Sequence, residues 1–425
     1  MVVTKGIEIR LYPNKGQRTM INKNIGGARV AYNVMLRTKE ELYRDYGINF
    51  DPKWWLLKED IPWMAELDSR ALNSAHRDLN KAYQEWFRSF KGGTPKGHPQ
   101  YKKKSKKGSY QNTNMPSVPE KLFRVGGIFI PKVGVVKFRS HWDLSGIRKI
   151  RNLTIKRSST GKYFCAICCD VEIQEFDKTG AVVGLDLGVK DLIVSSDGTK
   201  YENKKFLKKT EKKIKHLQRS VSRKKKGSKN REKSRMRLAI AHEKLGNKRK
   251  DYLQKLTTSI VRDNDVICVE DLNVKGMLKN HCLAKSIADV SFSEIRRMLT
   301  YKCEWYGKNL VVIDRWEPTS KKCNHCGNIM EKFDLGIREW ICPHCHSHHD
   351  RDINAAHNIM EEGLRILAGG VVKKQKRVRQ GMPEFRLVEE GVQGNSSNRK
   401  GALALSLPVK QELCICSTEE VEHGI

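Results

Sequence analysis

The chain is 425 residues long, enough for two or three domains with real cores. It carries 82 Lys or Arg against 48 Asp or Glu, a formal net charge of +34. An excess that large repels itself unless a polyanion neutralises it. Because the basic residues recur throughout, a long nucleic-acid channel fits better than one small patch. A membrane surface is disfavoured: no basic amphipathic anchor stands out, and no run approaches a transmembrane helix. The opening stretch MVVTKGIEIRLYP is too short in apolar length and too soon charged for a signal peptide. An intracellular protein is expected, its 12 cysteines mostly reduced thiols plus one metal site.

Residues 2 to 12 alternate, with Ile7, Ile9 and Leu11 on one face, as in an edge strand that Pro13 ends. Gln17 to Tyr46 reads as a helix from the spacing of Met20, Ile21, Ile25, Ala28, Tyr32, Met35 and Leu36. Trp54, Trp55 and Trp63 are expected to anchor a core. A second helix spans Ser69 to Phe90. Leu72, Ala75, Leu79, Ala82, Tyr83 and Trp86 form its apolar face, and Asn73, His76, Arg77 and Asn80 a polar face that is either solvated or turned to DNA. Lys91 to Tyr110 is basic, rich in Gly and Pro, and cannot form a core. It is either a solvated linker or a nucleic-acid-contacting segment. The interleaving of Tyr101 and Tyr110 with Lys102, Lys103, Lys104, Lys106 and Lys107 favours the second. From Lys121 to Ile173 short strands alternate with turns at Gly126-Gly127, Gly134 and Ser159-Thr160-Gly161. They suggest a small β-barrel that the N-terminal strand completes, with residues 13 to about 94 as a helical insertion. Cys165-x-x-Cys168 lies in an alternating strand with no second pair nearby and reads as buried thiols, not half a zinc site.

The stretch VVGLDLGVKDLIVSSDG, Val182 to Gly198, is a strand, an acid, a tight turn and a second strand. Asp186 interrupts its apolar run, which is costly in a buried strand unless something such as a metal ion compensates it. Lys204 to Asp251 reads as an antiparallel helical pair around KKKGSKNR, marked by Leu207, Ile214, Leu217 and Val221, then Leu238, Leu245, Tyr252 and Leu256. It is either a solvated hairpin or one wall of a nucleic-acid channel. Asp265 to Leu272 is another apolar strand ending in a carboxylate, Glu270, and LVVID ending at Asp314 is a further strand. Cys323-x-x-Cys326 and Cys342-x-x-Cys345 stand fifteen residues apart, the spacing of a four-cysteine zinc ribbon. Four thiolates close a tetrahedron, so a structural site is expected even with His325, His344, His346, His348 and His349 crowding it. In HDRDINAA, acids open an amphipathic helix that runs to about Leu367. An aspartate there is also a standard N-cap, so one of Asp350 and Asp352 is open to a purely structural reading. Two strand-end carboxylates and one helix-start carboxylate suit hard divalent cations such as magnesium. Residues 371–425 lose periodicity and read as a mobile tail, with Cys414 and Cys416 assigned no role.

DLGVKDLIVSSDG, VEDLNVKGM and DRDINAAHNI, with the four-cysteine cluster and the stretch from Leu283 to Gly307, resemble in this order the three catalytic motifs and zinc ribbon of transposon-encoded TnpB proteins. These are RNA-guided DNA nucleases with a RuvC-like, RNase H-type domain, related to type V CRISPR effectors. The resemblance covers roughly residues 1 to 370. It implies a multidomain α+β fold: a wedge-like β-barrel (1–12 and 95–178), a helical recognition lobe (13–94), and a RuvC-like nuclease domain (179–320 and 350–370) with a helical hairpin insertion at 204–256. A zinc ribbon would occupy 321–349. It further implies two Mg2+ ions on Asp186, Glu270 and Asp352, with Asp186 bridging and Asp350 in reserve, and a structural Zn2+ on the cysteines. The implied partners are a guide RNA from the transposon end and target double-stranded DNA beside a short adjacent motif, and no membrane. The implied setting is a prokaryotic cytoplasm, with the protein on the nucleoid when bound to DNA. Asn73, Arg77, Tyr101, Lys103 and Lys104 are the candidate nucleic-acid contacts. Two other readings stand beside this one: a protein-only transposase, which also uses carboxylate triads, and a non-cleaving RNA-guided regulator, which would have lost an acid.

Overall fold

The computed structural model describes residues 1–91, 97–113, 117–331 and 336–369. The expected tail at 371–425, with Cys414 and Cys416, lies outside the described residues.

The first sheet has seven antiparallel strands: β1 (Val2–Tyr12), β2 (Gly108–Asn112), β3 (Phe123–Arg124), β4 (Gly127–Ile130), β5 (Gly134–Arg139), β6 (Ile147–Arg157) and β7 (Tyr163–Glu172). Their order is β2-β6-β7-β1-β5-β4-β3. β1 buries Val3, Lys5, Ile7, Ile9 and Leu11 by strict alternation. It is central rather than the expected edge strand, pairing with β7 along ten residue pairs and with β5 at its end. Its outward polar residues resembled an edge but meet partners across the sheet, Thr4 with Asp170 at 2.8 Å and Glu8 with Lys156 at 3.1 Å. Among the described residues β2 and β3 do not pair with each other, so the sheet is a curled half-barrel and not a closed barrel.

Helices take the place of closure. The main ones are α1 (Lys15–Tyr46) and α3 (Ser69–Lys91), with the short α2 (Leu57–Asp60) between them and α4 (Pro119–Leu122) later in the chain. Asn14 and Gln17 form a reciprocal capping box that starts α1, and Gly47 in the left-handed region ends it. Ile21, Ala28, Met35 and Leu36 of α1 share one core with Leu72 and Leu79 of α3 and Ile7, Ile9, Leu153 and Ile167 of the sheet. Trp54 packs against this core, but Trp55 and Trp63 are 49% and 42% exposed, against expectation. The Lys91–Tyr110 segment is not a loose linker where it is described: Asn33 of α1 brackets Lys102 with two backbone hydrogen bonds, at 2.8 and 3.0 Å.

The second sheet comprises β8 (Val182–Leu187), β9 (Asp191–Ser195), β10 (Lys200–Glu202), β11 (Val266–Glu270) and β12 (Asn309–Ile313), in the order β10-β9-β8-β11-β12. β8, β11 and β12 are parallel, and β9 and β10 extend the sheet antiparallel. Between β10 and β11 run α5 (Phe206–Ser222) and α6 (Lys229–Asp263). Between β11 and β12 run α7 (Val274–Met277), α8 (His281–Val290) and α9 (Phe292–Tyr306). Two short strands follow, β13 (Glu339–Ile341) and β14 (His348–Asp350), and then α10 (Arg351–Ala368). α5 and α6 form the expected antiparallel pair, but α6 continues to Asp263, and its last turns bury Leu253, Leu256, Ile260 and Val261 against the sheet. Lys162 of the first sheet's β6–β7 turn pairs with Glu243 at 2.5 Å, so α6 bridges the two sheets.

Alternation along the strands decides the rest. Val183, Leu185, Ile267 and Val269 face α6 and α9, whereas Cys268, Val311 and Ile313 face α10. On the α10 side the approach is close because position 184 is glycine. A Cβ there would stand 2.7 Å from the Met360 nitrogen and nearer still to the Ala356 carbonyl oxygen. On the other side Lys302 is buried without a carboxylate: its ammonium donates to the Gln254 carbonyl and to the Thr257 and Thr258 hydroxyls, each at 2.7 Å. Burial pushes its pKa down to about 8.

Gly184→Ala should force α10 off the sheet. We expect a loss of about 1–3 kcal/mol in urea unfolding, the usual cost of overpacking. An unchanged midpoint would show that α10 yields without strain.

Candidate metal centres

Parity places the first two acids. Gly184 and Cys268 face α10, so Asp186 and Glu270, two residues further along each strand, face the same way. β8 and β11 run parallel with Leu185 opposite Val269, which brings the following residues, Asp186 and Glu270, side by side. α10 starts over this end of the sheet and supplies Asp352 in its first turn.

Asp186 feels the other two acids electrostatically. Burial, then the charges of Glu270 and Asp352, pushes the Asp186 carboxyl up to about 7. Arg351 and the Leu187 backbone N–H act in the opposite direction. Glu270 is also raised by burial, with a hydrogen bond from Thr319 pulling it back. A buried carboxylate whose ionisation is made costlier by neighbouring acids, as at Asp186, is what a divalent cation would relieve, and an all-oxygen donor set suits a hard ion such as magnesium.

The two helix-start acids have separate tasks. The Asp350 carboxylate caps α10, accepting from the backbone N–H groups of Asp352 and Ile353 at 3.0 and 3.1 Å, and it pairs with Lys200 at 2.6 Å. Asp352, whose charge Asp186 feels, meets Arg338, whose Nη1 lies 3.1 and 3.2 Å from its two carboxylate oxygens. Asp271 is drawn away by ion pairs with Arg296 and Arg315. Sequence reasoning did not find Arg338 or Thr319. Neither sits in a recognisable spacing, because each reaches the acids through the path of the chain around the ribbon.

The four cysteines do converge. One sulfur from each of Cys323, Cys326, Cys342 and Cys345 lies within 4.8 Å of the others. Two of the pairs, Cys323 with Cys345 and Cys326 with Cys342, are at 3.6 Å. Tetrahedral zinc with sulfur ligands at about 2.3 Å requires separations of about 3.8 Å, so the cluster fits a structural zinc ion. No histidine is needed within the tetrahedron. His349 lies beside it, with Nε2 3.1 Å from the Cys323 sulfur and its ring 4.7 Å from that of Trp340. Cys165 is buried in β7, as expected for a plain thiol.

The candidate nucleic-acid contacts are dispersed. Asn73 and Arg77 lie on α3, Asn73 partly exposed and Arg77 exposed. The polar face they share is partly covered, since His76 and Asn80 bond Asp51 at 2.8 and 3.3 Å. Tyr101 donates its hydroxyl to Glu40 at 2.6 Å, and Lys103 and Lys104 are exposed. A further basic feature was not singled out from the sequence. His216, Arg219, Ser220, Arg223 and Lys224 line a cavity of about 360 Å³ at the turn of the α5–α6 hairpin. Among the described residues none of its basic groups has an ion-pair partner. The Lys224 ammonium is instead held by the Ser220 and Ser234 hydroxyls at 3.1 and 2.7 Å.

Three family models match the chain: "Probable transposase" over residues 166–281, "Cas12f1-like, TNB domain" over 292–359 and "Helix-turn-helix domain" over 1–47. The last span holds β1 and the single long helix α1 rather than two helices. A Streptomyces pristinaespiralis protein named "Putative RNA-guided DNA endonuclease" is 34% identical over 379 residues, covering 87% of this chain and 91% of its own. Escherichia coli InsQ, bearing the same description, is 28% identical and covers 88% of this chain and 96% of its own. Among solved structures, a Cas12f1–sgRNA–target DNA complex matches with a TM-score of 0.50 at 14% identity, over 84% of this chain and 99% of that one, and so shares the fold. The chain belongs to the TnpB-like family of RNA-guided DNA endonucleases.

Purified protein should carry one zinc ion per chain, and Cys342→Ser should release it and destabilise the ribbon, because structural zinc contributes folding energy directly. Elemental analysis that finds no zinc in well-folded protein would contradict this.

Proposed function

We propose that the protein is an RNA-guided, Mg2+-dependent DNA endonuclease encoded by a transposable element. What supports the reading is that Asp186 and Glu270 stand at adjacent ends of two parallel strands, with Asp352 at a helix start and its charge felt by Asp186, in a chain 34% identical to a protein named "Putative RNA-guided DNA endonuclease". The parallel β8-β11-β12 core with an antiparallel extension, covered by helices on both faces, supports an RNase H-like, RuvC-type nuclease domain. Two Mg2+ ions held there would supply an activated water and charge stabilisation at the leaving oxygen of a phosphodiester. Asp186, between the other two acids, suits the bridging position. Thr319 takes one oxygen of Glu270 and leaves the other for metal. Asp350 is assigned to capping α10, not to the ions.

The guide RNA would come from the end of the element and the target would be double-stranded DNA beside a short adjacent motif. Pairing would read sequence while the protein grips backbones. The half-barrel would serve as the wedge, and α1 and α3 as the recognition lobe, with Asn73 and Arg77 offered to base edges. Tyr101, Lys103 and Lys104 would lie along the nucleic-acid path, and the hairpin cavity would hold a backbone phosphate. Among the described residues no helix is long and apolar enough to cross a membrane. The description "Probable transposase" keeps the protein-only transposase as the second reading. Sequencing the RNA that copurifies with the protein separates the two, since only the RNA-guided reading requires one discrete bound RNA.

Asp186→Ala, Glu270→Ala and Asp352→Ala should each cut cleavage by more than the roughly 100-fold that loss of an outer-shell metal partner costs, while RNA-dependent DNA binding persists. Cleavage assays in Mg2+ paired with gel shifts measure both, and normal cutting by Asp352→Ala beside a dead Asp350→Ala would reverse the ligand assignment. The double change Arg219→Ala/Arg223→Ala should flatten the salt dependence of binding, by about 0.7 per lost contact on single strands and 0.9 on duplex. Titrating guide RNA alone, and target DNA with the RNA-loaded protein, shows which strand is held. An unchanged slope in both would mark the cavity as a solvated face.

A further inference from the structure

α10 departs from a simple apolar repeat on its buried face. Asn354 and Asn358, one turn apart, are each only 2% exposed. Buried amides are costly unless engaged, so their partners identify what they are for; the Asn358 side-chain oxygen has none among the described residues, and its nitrogen has two. Both reach one loop, the Thr319–Asn324 stretch between β12 and the first zinc knuckle. The Asn358 side-chain amide donates to the carbonyls of Thr319 and Lys322, each at 2.7 Å. The Asn354 amide donates to the Lys322 carbonyl at 2.8 Å, and its oxygen accepts from the Asn324 N–H at 3.0 Å. The stretch so gripped contains Cys323, whose own N–H and carbonyl close the knuckle against Asn328 and Gly327 at 2.9 Å. At its other end Thr319, 4% exposed, gives its one hydroxyl hydrogen to Glu270.

The geometry points to Thr319 and Asn358 as positioning residues that hold the Glu270 carboxylate in place and tie it to the zinc ribbon. Asn358 touches no acid. It fixes the backbone at Thr319, and Thr319 fixes Glu270. The same helix that presents Asp352 thereby sets the posture of the acid on the neighbouring strand, and the ribbon's first knuckle hangs from the same two amides. This rests on the proposed role of Glu270 as a metal ligand. Outer-shell partners of ligating carboxylates are worth about 10–100-fold in metal affinity. A loop merely stitched to a helix would leave affinity unmoved.

The test is calorimetric titration of full-length, zinc-loaded protein with Mn2+, with zinc content measured alongside. Thr319→Val, nearly isosteric but without the hydroxyl, should weaken Mn2+ binding at least tenfold, about 1.4 kcal/mol, while keeping its zinc. Thr319→Ser, which restores the hydroxyl, should bind close to wild type. Asn358→Ala should also weaken Mn2+ binding although it contacts no carboxylate. Wild-type Mn2+ affinity in Thr319→Val, or failure of Thr319→Ser to recover it, overturns the relay. Wild-type affinity in Glu270→Ala overturns instead the ligand reading beneath it.

Discussion

The contact on which the catalytic half depends is the seating of α10 directly on β8. At Gly184 backbone lies against backbone, with the Ala356 carbonyl and Met360 nitrogen over it, and Gly363 makes room for the Cys268 side chain on the neighbouring strand. The start of the helix is thereby held close to the strand ends. Asp352 thereby comes within electrostatic reach of Asp186, and Asn354 and Asn358 come within reach of the loop that carries Thr319. A bulkier residue at 184 would separate α10 from β8 and move Asp352 away from Asp186.

That closeness and burial have an electrostatic cost, visible in the raised pKa of Asp186, while burial alone raises Glu270. Arg351 offsets part of it at Asp186, and a bound cation would offset more. The molecule thus concentrates negative charge at one point of a chain whose net charge is +34. The rest of its surface is arranged for the opposite partner, down to the hairpin cavity where four basic groups stand without an ion pair among the described residues. Side-chain bridges join the parts: Lys162 with Glu243 and Lys106 with Glu232 link α6 to the first sheet and to the basic segment.

Much of the site was legible in the residues because its signals are local. An acid ending an apolar strand, at Asp186 and Glu270, needs no long-range contact to be noticed. Paired Cys-x-x-Cys spacings announce a tetrahedron, since the ion itself dictates them. Helix bounds were recovered within a few residues at α1 and α3, where the apolar stripe has helical period. The family motif favours Asp352 over Asp350, whereas N-cap chemistry by itself leaves both open; in the structure Asp350 holds the first N–H groups of α10.

Sequence alone determined which segments fold as helix or strand, which thiols are spaced for a metal and how large the basic excess is, because periodicity, ligand spacing and net charge belong to the chain itself. Only the tertiary structure decided what meets across distance. β1 sits at the centre of its sheet, not at an edge, because strands far along the chain pair with both its sides. The barrel stays open because α1 and α3 fill its concave face. Trp55 and Trp63 stay partly exposed, Trp55 because the turn it shares with Trp54 leaves only Trp54 packed on the core, and Trp63 standing on a separate short 3-10 helix over 62–66. Arg338 and Thr319 reach the acids because the loop around the ribbon folds back onto α10. Such meetings depend on where whole elements pack, and no local pattern of residues encodes that.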